Sequence, residues 1–174
     1  MIELEKTYLA KKLPEDLKNY KSKEIIDVYI PKSSEHPKLR LRKIGDRFEL
    51  TKKEPINEGD ASHQNEQTII LTKTEFNTLN QQLEGKRVHK IRYYYNYNDK
   101  TAEFDVFQDN LLWLVVIDFE FSTIEEKDNF QMPDFCLVEI TQETFLAGGM
   151  ICSKTYKDIE DKLEKFGYKK LFLK

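Results

Sequence analysis

Five pairs of like-charged residues lie two positions apart in segments that otherwise carry apolar side chains: Glu3 and Glu5, Arg40 and Arg42, Lys90 and Arg92, Glu103 and Asp105, Asp118 and Glu120. A spacing of two puts both members of a pair on one face of an extended strand. The neighbours Ile2, Leu4, Leu39, Leu41, Ile91, Phe104, Val106, Ile117, Phe119 and Phe121 fall on the other face. Acidic doublets on some strands and basic doublets on others suit one ligand chemistry, a polyanion carrying a divalent metal. Carboxylates hold a hard cation such as Mg2+ or Mn2+, and guanidinium forks grip phosphate oxygens two at a time. A solvated sheet face is the plainer alternative, with acid and base pairing loosely across strands for roughly 0.2–1 kcal/mol each. Such a face would mix Thr, Ser, Gln and Lys rather than repeat same-sign doublets.

These residues need strands to position them, and the same alternation predicts eight: Ile2 to Leu9, Glu24 to Ile30, Lys38 to Ile44, Arg47 to Lys53, Gln64 to Thr72, Arg87 to Tyr97, Thr101 to Phe107 and Leu111 to Phe121. Asn98-Asp99-Lys100 and Gln108-Asp109-Asn110 are turns joining the last three, and 55–62 is a loop. Helices are expected at Pro14 to Tyr20, Glu75 to Leu83, Thr123 to Phe130 and Asp158 to Phe166. Ser122 and Glu125 form a capping box for the third, and Gly167 stops the last. Eight strands with few intervening helices favour an antiparallel sheet or closed barrel over a βαβ fold. In a barrel, the charges would line the lumen while helices cover the apolar outside. Eight strands leave room there for side chains and one small ligand.

The 174 residues amount to one domain's length, and no linker divides them. The 28 basic and 31 acidic residues nearly cancel, leaving a net charge of −3, which supplies neither a polybasic arm nor a basic stripe for nucleic acid. The longest apolar run, Leu111 to Ile117, is far short of the roughly 20 residues that span a bilayer. No secretory leader is read at the N-terminus. Cys136 and Cys152 offer neither a disulfide framework nor metal spacing, and read as buried, reduced thiols of a cytoplasmic protein. His36, His63 and His89 have no ligand spacing either. Trp113 is expected in the outer core. The tyrosines at 93, 94, 95 and 97 are expected on the two packed faces of one strand.

In chain order, the charged strands resemble the CYTH domain, the family of triphosphate tunnel metalloenzymes. Met1 to Leu9 is similar to its opening Glu-x-Glu-x-Lys strand, and Leu39 to Arg42 to its Arg-x-Arg strand. Phe48 to Lys53, Val88 to Tyr93 and Glu103 to Phe107 resemble its Leu-Thr-x-Lys, Lys-x-Arg-Tyr and Glu-x-Asp-x-Phe strands. The paired acids of Val115 to Phe121 and the segment Pro133 to Thr141 complete seven motifs in the family's order, covering roughly residues 1–147. Residues 148–174 read as a diverged helical tail of one CYTH-like domain, 1–174.

The resemblance implies an α+β fold, an eight-stranded antiparallel closed tunnel with a charged lumen and helices outside. It implies metal-dependent hydrolysis of a triphosphate with Mg2+ or Mn2+, inorganic tripolyphosphate first and an organic one such as thiamine triphosphate second. A class IV adenylyl cyclase and a non-catalytic polyphosphate or nucleotide binder are the alternatives. Carried over by position, Arg40, Arg42, Lys53, Lys90 and Arg92 grip phosphate, and Lys90 is the candidate general base or water positioner. The metal set is Glu3, Glu5, Glu66, Glu103, Asp105, Asp118 and Glu120. The expected partner is a small-molecule triphosphate, with no nucleic acid and no membrane, and a homodimer is allowed. Three departures stand out: Thr7 replaces the opening lysine, Thr68 the second acid of the fifth strand, and apolar 145–149 a polar plug segment.

Overall fold

Wherever charged and apolar residues alternate, the chain is extended. The computed structural model describes residues 2–173. Its strands are β1 (Ile2–Ala10), β2 (Ser22–Ile30), β3 (Leu39–Ile44), β4 (Arg47–Pro55), β5 (His63–Leu71), β6 (Lys86–Tyr97), β7 (Lys100–Phe107), β8 (Val115–Phe121) and β9 (Cys136–Glu139). They pair antiparallel in the order β5-β4-β3-β2-β6-β7-β8-β1-β9. The barrel closes where Ile2, Glu3 and Leu4 of β1 pair with Asn65, Gln64 and His63 of β5. Eight strands therefore form a closed antiparallel barrel. β9 takes up the edge of β1 beyond that contact, at Tyr8 to Ala10.

The outside of the barrel is apolar, and the connecting segments cover it. Helix α1 (Lys73–Gln82) starts at a Thr72/Glu75 capping box and lays Phe76 over Val28 and Leu41, with Phe48, Leu50 and Leu79 alongside. Around the other half, Phe104, Ile117, Phe119 and Phe121 pack under Phe130, Phe135 and Leu17. Tyr93, Tyr95 and Tyr97 belong to this outer layer, while Tyr94 is paired with Glu103 on the other face. Helix α2 (Ile124–Asn129) is capped by Thr123, whose hydroxyl accepts from the Glu126 amide, one residue beyond the expected Ser122 and Glu125.

A third apolar cluster lies partly inside the barrel. Leu9, Tyr29, Val88, Phe107 and Val116 share their strand faces with Thr7, Asp27, Lys90, Asp105 and Asp118, so they point into the lumen. They pack with Leu146, Ile151, Tyr156, Ile159 and Leu163 from the C-terminal segment. That segment contains helices α3 (Gly148–Ile151) and α4 (Tyr156–Lys165), and Gly167, whose φ of +76° suits glycine, follows the last turn of α4. The tail thus fills one end of the barrel, and each fully buried aliphatic side chain there contributes about 1.5–3 kcal/mol. Gly148 and Gly149 permit the approach. A Cβ on Gly148 would lie 2.0 Å from the Tyr29 hydroxyl, and one on Gly149 2.3 Å from the Pro37 carbonyl.

Several local expectations need correction. Leu111 to Leu114 is not strand: Asp109–Leu111 is a 3-10 turn, and Trp113 has a φ of +82°. Trp113 therefore leaves the outer layer and packs edge-on against Tyr156 of α4, their centroids 5.5 Å apart. Of the helix expected at Pro14 to Tyr20, a 3-10 turn at Leu17–Asn19 forms, anchored by buried Leu17. Pro55 ends β4 rather than opening the loop.

Candidate functional site

Cross-strand register sets the polar lumen in rows. Asp27 of β2 lies opposite Arg42 of β3, which lies opposite Glu49 of β4. The next row runs from Tyr29 through Arg40 and Thr51 to Thr68. On the far wall, Arg92 faces Asp105, Tyr94 faces Glu103, Glu103 faces Asp118, and Asp118 faces Thr7. Glu5 faces Glu120.

Three groups of contacts result. Lys53 reaches Glu3 at 2.6 Å and Glu5 at 2.8 Å, while Gln64 donates to the other Glu5 oxygen at 3.0 Å. Arg92 grips Asp105 through Nε and Nη2, both at 2.6 Å, reaches Asp118 at 2.9 Å and pairs with Glu103. Lys90 also pairs with Asp105, and Thr7 donates to Asp118 at 2.8 Å. Third, Arg42 holds Asp27 in a fork, Nε to Oδ1 at 2.6 Å and Nη2 to Oδ2 at 2.8 Å.

Arg40 stands apart. Its Nη1 approaches the Tyr29 hydroxyl at 3.4 Å and its Nη2 lies 3.9 Å from Glu66. Its buried Nε has no hydrogen-bond partner among the described residues. A buried donor left unmade costs about 1–3 kcal/mol, more for a charged group.

Burial and charge then set the protonation states. Burial works against the Asp27 carboxylate, but Arg42 overrides it and holds the pKa down at about 2. Asp105 is likewise buried, and Arg92 and Lys90 keep it well below the usual carboxylate range. Burial pushes Glu103 up to about 7, with Asp118 and Glu120 adding to the rise against Arg92. Asp118 is raised chiefly by burial. The Lys90 ammonium is lowered by burial, with Arg92 and Arg42 adding to the effect and Asp105 opposing it. Lys53 is raised, because Glu5 and Glu3 outweigh its burial.

Every phosphate candidate (Arg40, Arg42, Lys53, Lys90 and Arg92) faces the lumen. The acids divide between two walls: Glu3, Glu5 and Glu66 near Lys53, and Glu103, Asp105 and Asp118 around Arg92. Glu120 is exposed at the open end, where it and Glu103 line a cavity of about 380 Å3 with Lys100, Thr101, Phe121 and Glu126. Among the described residues, no three His, Cys, Asp or Glu side chains converge as a ready cation cage. The donor chemistry nevertheless fits a hard cation. All the donors are carboxylate oxygens, and Glu5 and Glu120 oppose each other directly, an arrangement of like charges that is unfavourable without a cation between them. Cys136 and Cys152 are buried and free. Among the described residues, no helix is long and apolar enough to cross a membrane.

Sequence reasoning passed over Asp27 and Tyr29. The signal for Asp27 was a lone acid within Ile25-Ile26-Asp27-Val28-Tyr29-Ile30, since a carboxylate on a buried strand requires a partner.

No family model matches the chain. A curated protein of Nitrosomonas europaea, an inorganic triphosphatase, is 29% identical over 144 residues, covering 82% of this chain and 91% of that protein. The chain is similar to CYTH, or triphosphate tunnel, proteins in sequence and in fold. Two crystal structures of NE1496, one described as an inorganic triphosphatase, superpose with TM-scores of 0.62 and 0.63. Their identities are 23% and 25%, over 87% and 88% of this chain and 95% and 99% of theirs. HpAC1 from Hippeastrum, a protein with a dominant triphosphatase activity, shares the fold at a TM-score of 0.52 and 11% identity, over 95% of this chain and 88% of its own. Triphosphate tunnel proteins are generally metal-dependent. This tunnel has one end filled by its own tail.

Proposed function

We propose that the chain hydrolyses a triphosphate, inorganic tripolyphosphate foremost, held in the polar half of the lumen. The observation that carries the proposal is Arg40, a lumen-facing guanidinium whose buried Nε has no hydrogen-bond partner among the described residues. Burying such a donor makes physical sense where an anion completes it. The Nitrosomonas relative's activity supports the same reading.

Arg40, Arg42, Lys53 and Arg92 would grip phosphate oxygens, displacing the carboxylates that several of them now hold. Glu3, Glu5 and Glu120 would hold Mg2+ or Mn2+, with Glu66, Glu103 and Asp118 within the same walls. Asp105 is better suited to anchoring Arg92 and Lys90, because it is 1% exposed and doubly paired. The bound cation would supply charge neutralisation across the phosphate chain. Lys90, its pKa lowered by burial, would position the attacking water and accept its proton. The bridging P–O bond breaks as water adds to the terminal phosphorus, and pyrophosphate leaves. A cytoplasmic location, where buried free thiols persist, belongs to the same proposal.

The test is phosphate release from tripolyphosphate with Mg2+ or Mn2+. Activity that survives both Glu5→Ala and Arg42→Ala would remove the lumen as the site. Cyclic AMP formation from ATP in the same preparation would instead identify a cyclase.

A further inference from the structure

We infer that β2 carries a positioning strip for the phosphate grip, with Asp27 fixing Arg42 and Tyr29 fixing Arg40. The inference rests on the reading of the lumen as a triphosphate site and names two residues that reading does not use. Asp27 and Tyr29 are the direct cross-strand partners of Arg42 and Arg40, so each side chain projects beside its arginine on the same face. Asp27 is 1% exposed and Arg42 9%, and the fork between them uses Nε and Nη2 of the guanidinium. A planar group with five N–H donors, gripped along one edge, has its plane fixed and still offers the rest of its donors to a ligand. Asp27 also neutralises Arg42, which leaves Arg40 as the less compensated charge of the pair.

Tyr29 acts differently. Its hydroxyl, 3.4 Å from Arg40 Nη1, accepts without cancelling the charge. Its ring is held from behind by the tail, since the Gly148 backbone passes so close that a Cβ would lie 2.0 Å from the hydroxyl. The apolar end of the barrel thereby reaches the phosphate grip through one side chain. Neither Asp27 nor Tyr29 is a catalytic residue on this account, because each acts through its arginine.

Two measurements test the strip. In the free, 15N-labelled protein, the Arg42 Nε–H resonance is expected to exchange slowly and to lose that protection in Asp27→Asn. Unchanged protection overturns the inference without reference to any ligand. With tripolyphosphate as the probe in calorimetry, Asp27→Asn is expected to weaken binding about tenfold and Tyr29→Phe about threefold. Neither should add a further loss in an Arg42→Ala or Arg40→Ala background, respectively. A merely structural role predicts the same loss in both backgrounds and would overturn the strip. Should Asp27→Asn not fold, Tyr29→Phe, which keeps the ring, decides, and unaltered binding there overturns the inference. A wild-type chain that fails to bind tripolyphosphate brings down the triphosphate reading itself. A wild type that binds while the variants match it brings down the strip alone.

Discussion

Glu5 and Glu120 are direct cross-strand partners on β1 and β8, two carboxylates in register on the lumen wall near its open end. Lys53 compensates Glu5 at 2.8 Å, whereas Glu120 is exposed. A divalent cation between them would relieve the repulsion. Glu5→Gln and Glu120→Gln are therefore expected to raise the Mg2+ or Mn2+ concentration needed for half-maximal phosphate release by about tenfold or more. Both should also shrink the thermal stabilisation that the cation alone gives. A metal-dependent melting shift that is the same in wild type and both variants would contradict the assignment.

Arg40 should show opposite effects on stability and activity. Its unpartnered Nε is a cost in the free protein, so Arg40→Met is expected to raise the free energy of unfolding by about 1–3 kcal/mol. The same change should lower kcat/KM for tripolyphosphate by roughly 10²–10³. Arg40→Lys restores the charge but not the planar fork and should recover part of the activity. Denaturant melts and steady-state kinetics on the same preparations check both.

Glu103 makes stability depend on pH in the metal-free protein. Its carboxyl is raised from 4.5 to about 7 in the fold, chiefly by burial, with Asp118 and Glu120 adding to the rise against Arg92. Between those values the unfolded chain has lost the proton that the folded chain keeps, so the folded state binds more protons and stability falls as pH rises. Glu103→Gln should leave stability unchanged near pH 4, raise it at pH 8 and flatten the slope between. Melting curves in chelator across that range measure it, and a wild-type profile that rises instead would refute the account.

The filled end can be probed at Leu163, fully buried in α4 among lumen-facing residues. Leu163→Ala is expected to cost about 2–5 kcal/mol. Gly148→Ala should cost about 1–3 kcal/mol by overpacking against Tyr29, and in addition weaken tripolyphosphate binding. Equal binding by wild type and Gly148→Ala would separate the tail from the grip.

The strands and their lumen faces were legible because period-two charge on a buried wall leaves a trace that survives without knowledge of pairing. What escaped was what depends on register. Asp27 looks like any strand acid until Arg42 is found opposite it. The apolar lumen residues Leu9, Val88 and Val116 also misled, because an apolar side chain on either face of a strand looks like ordinary core. Their inward direction emerges when the tail is seen packed against them. Trp113 was misplaced for a related reason: a continuous apolar run hides a turn that a positive φ reveals.

The tail has a further consequence for traffic. With one end of the barrel packed by Ile151, Tyr156 and Leu163, a ligand that enters past Glu103 and Glu120 must leave by the same door. On the proposed reading, a linear chain of phosphates would advance end-first into a blind channel, and its two fragments would depart in an order set by their depth. The outer fragment would clear the doorway first, and the inner one would wait behind it. Turnover in such a channel is governed by a queue, so whichever fragment lodges near Arg40 and Arg42 is the one whose accumulation should slow the enzyme.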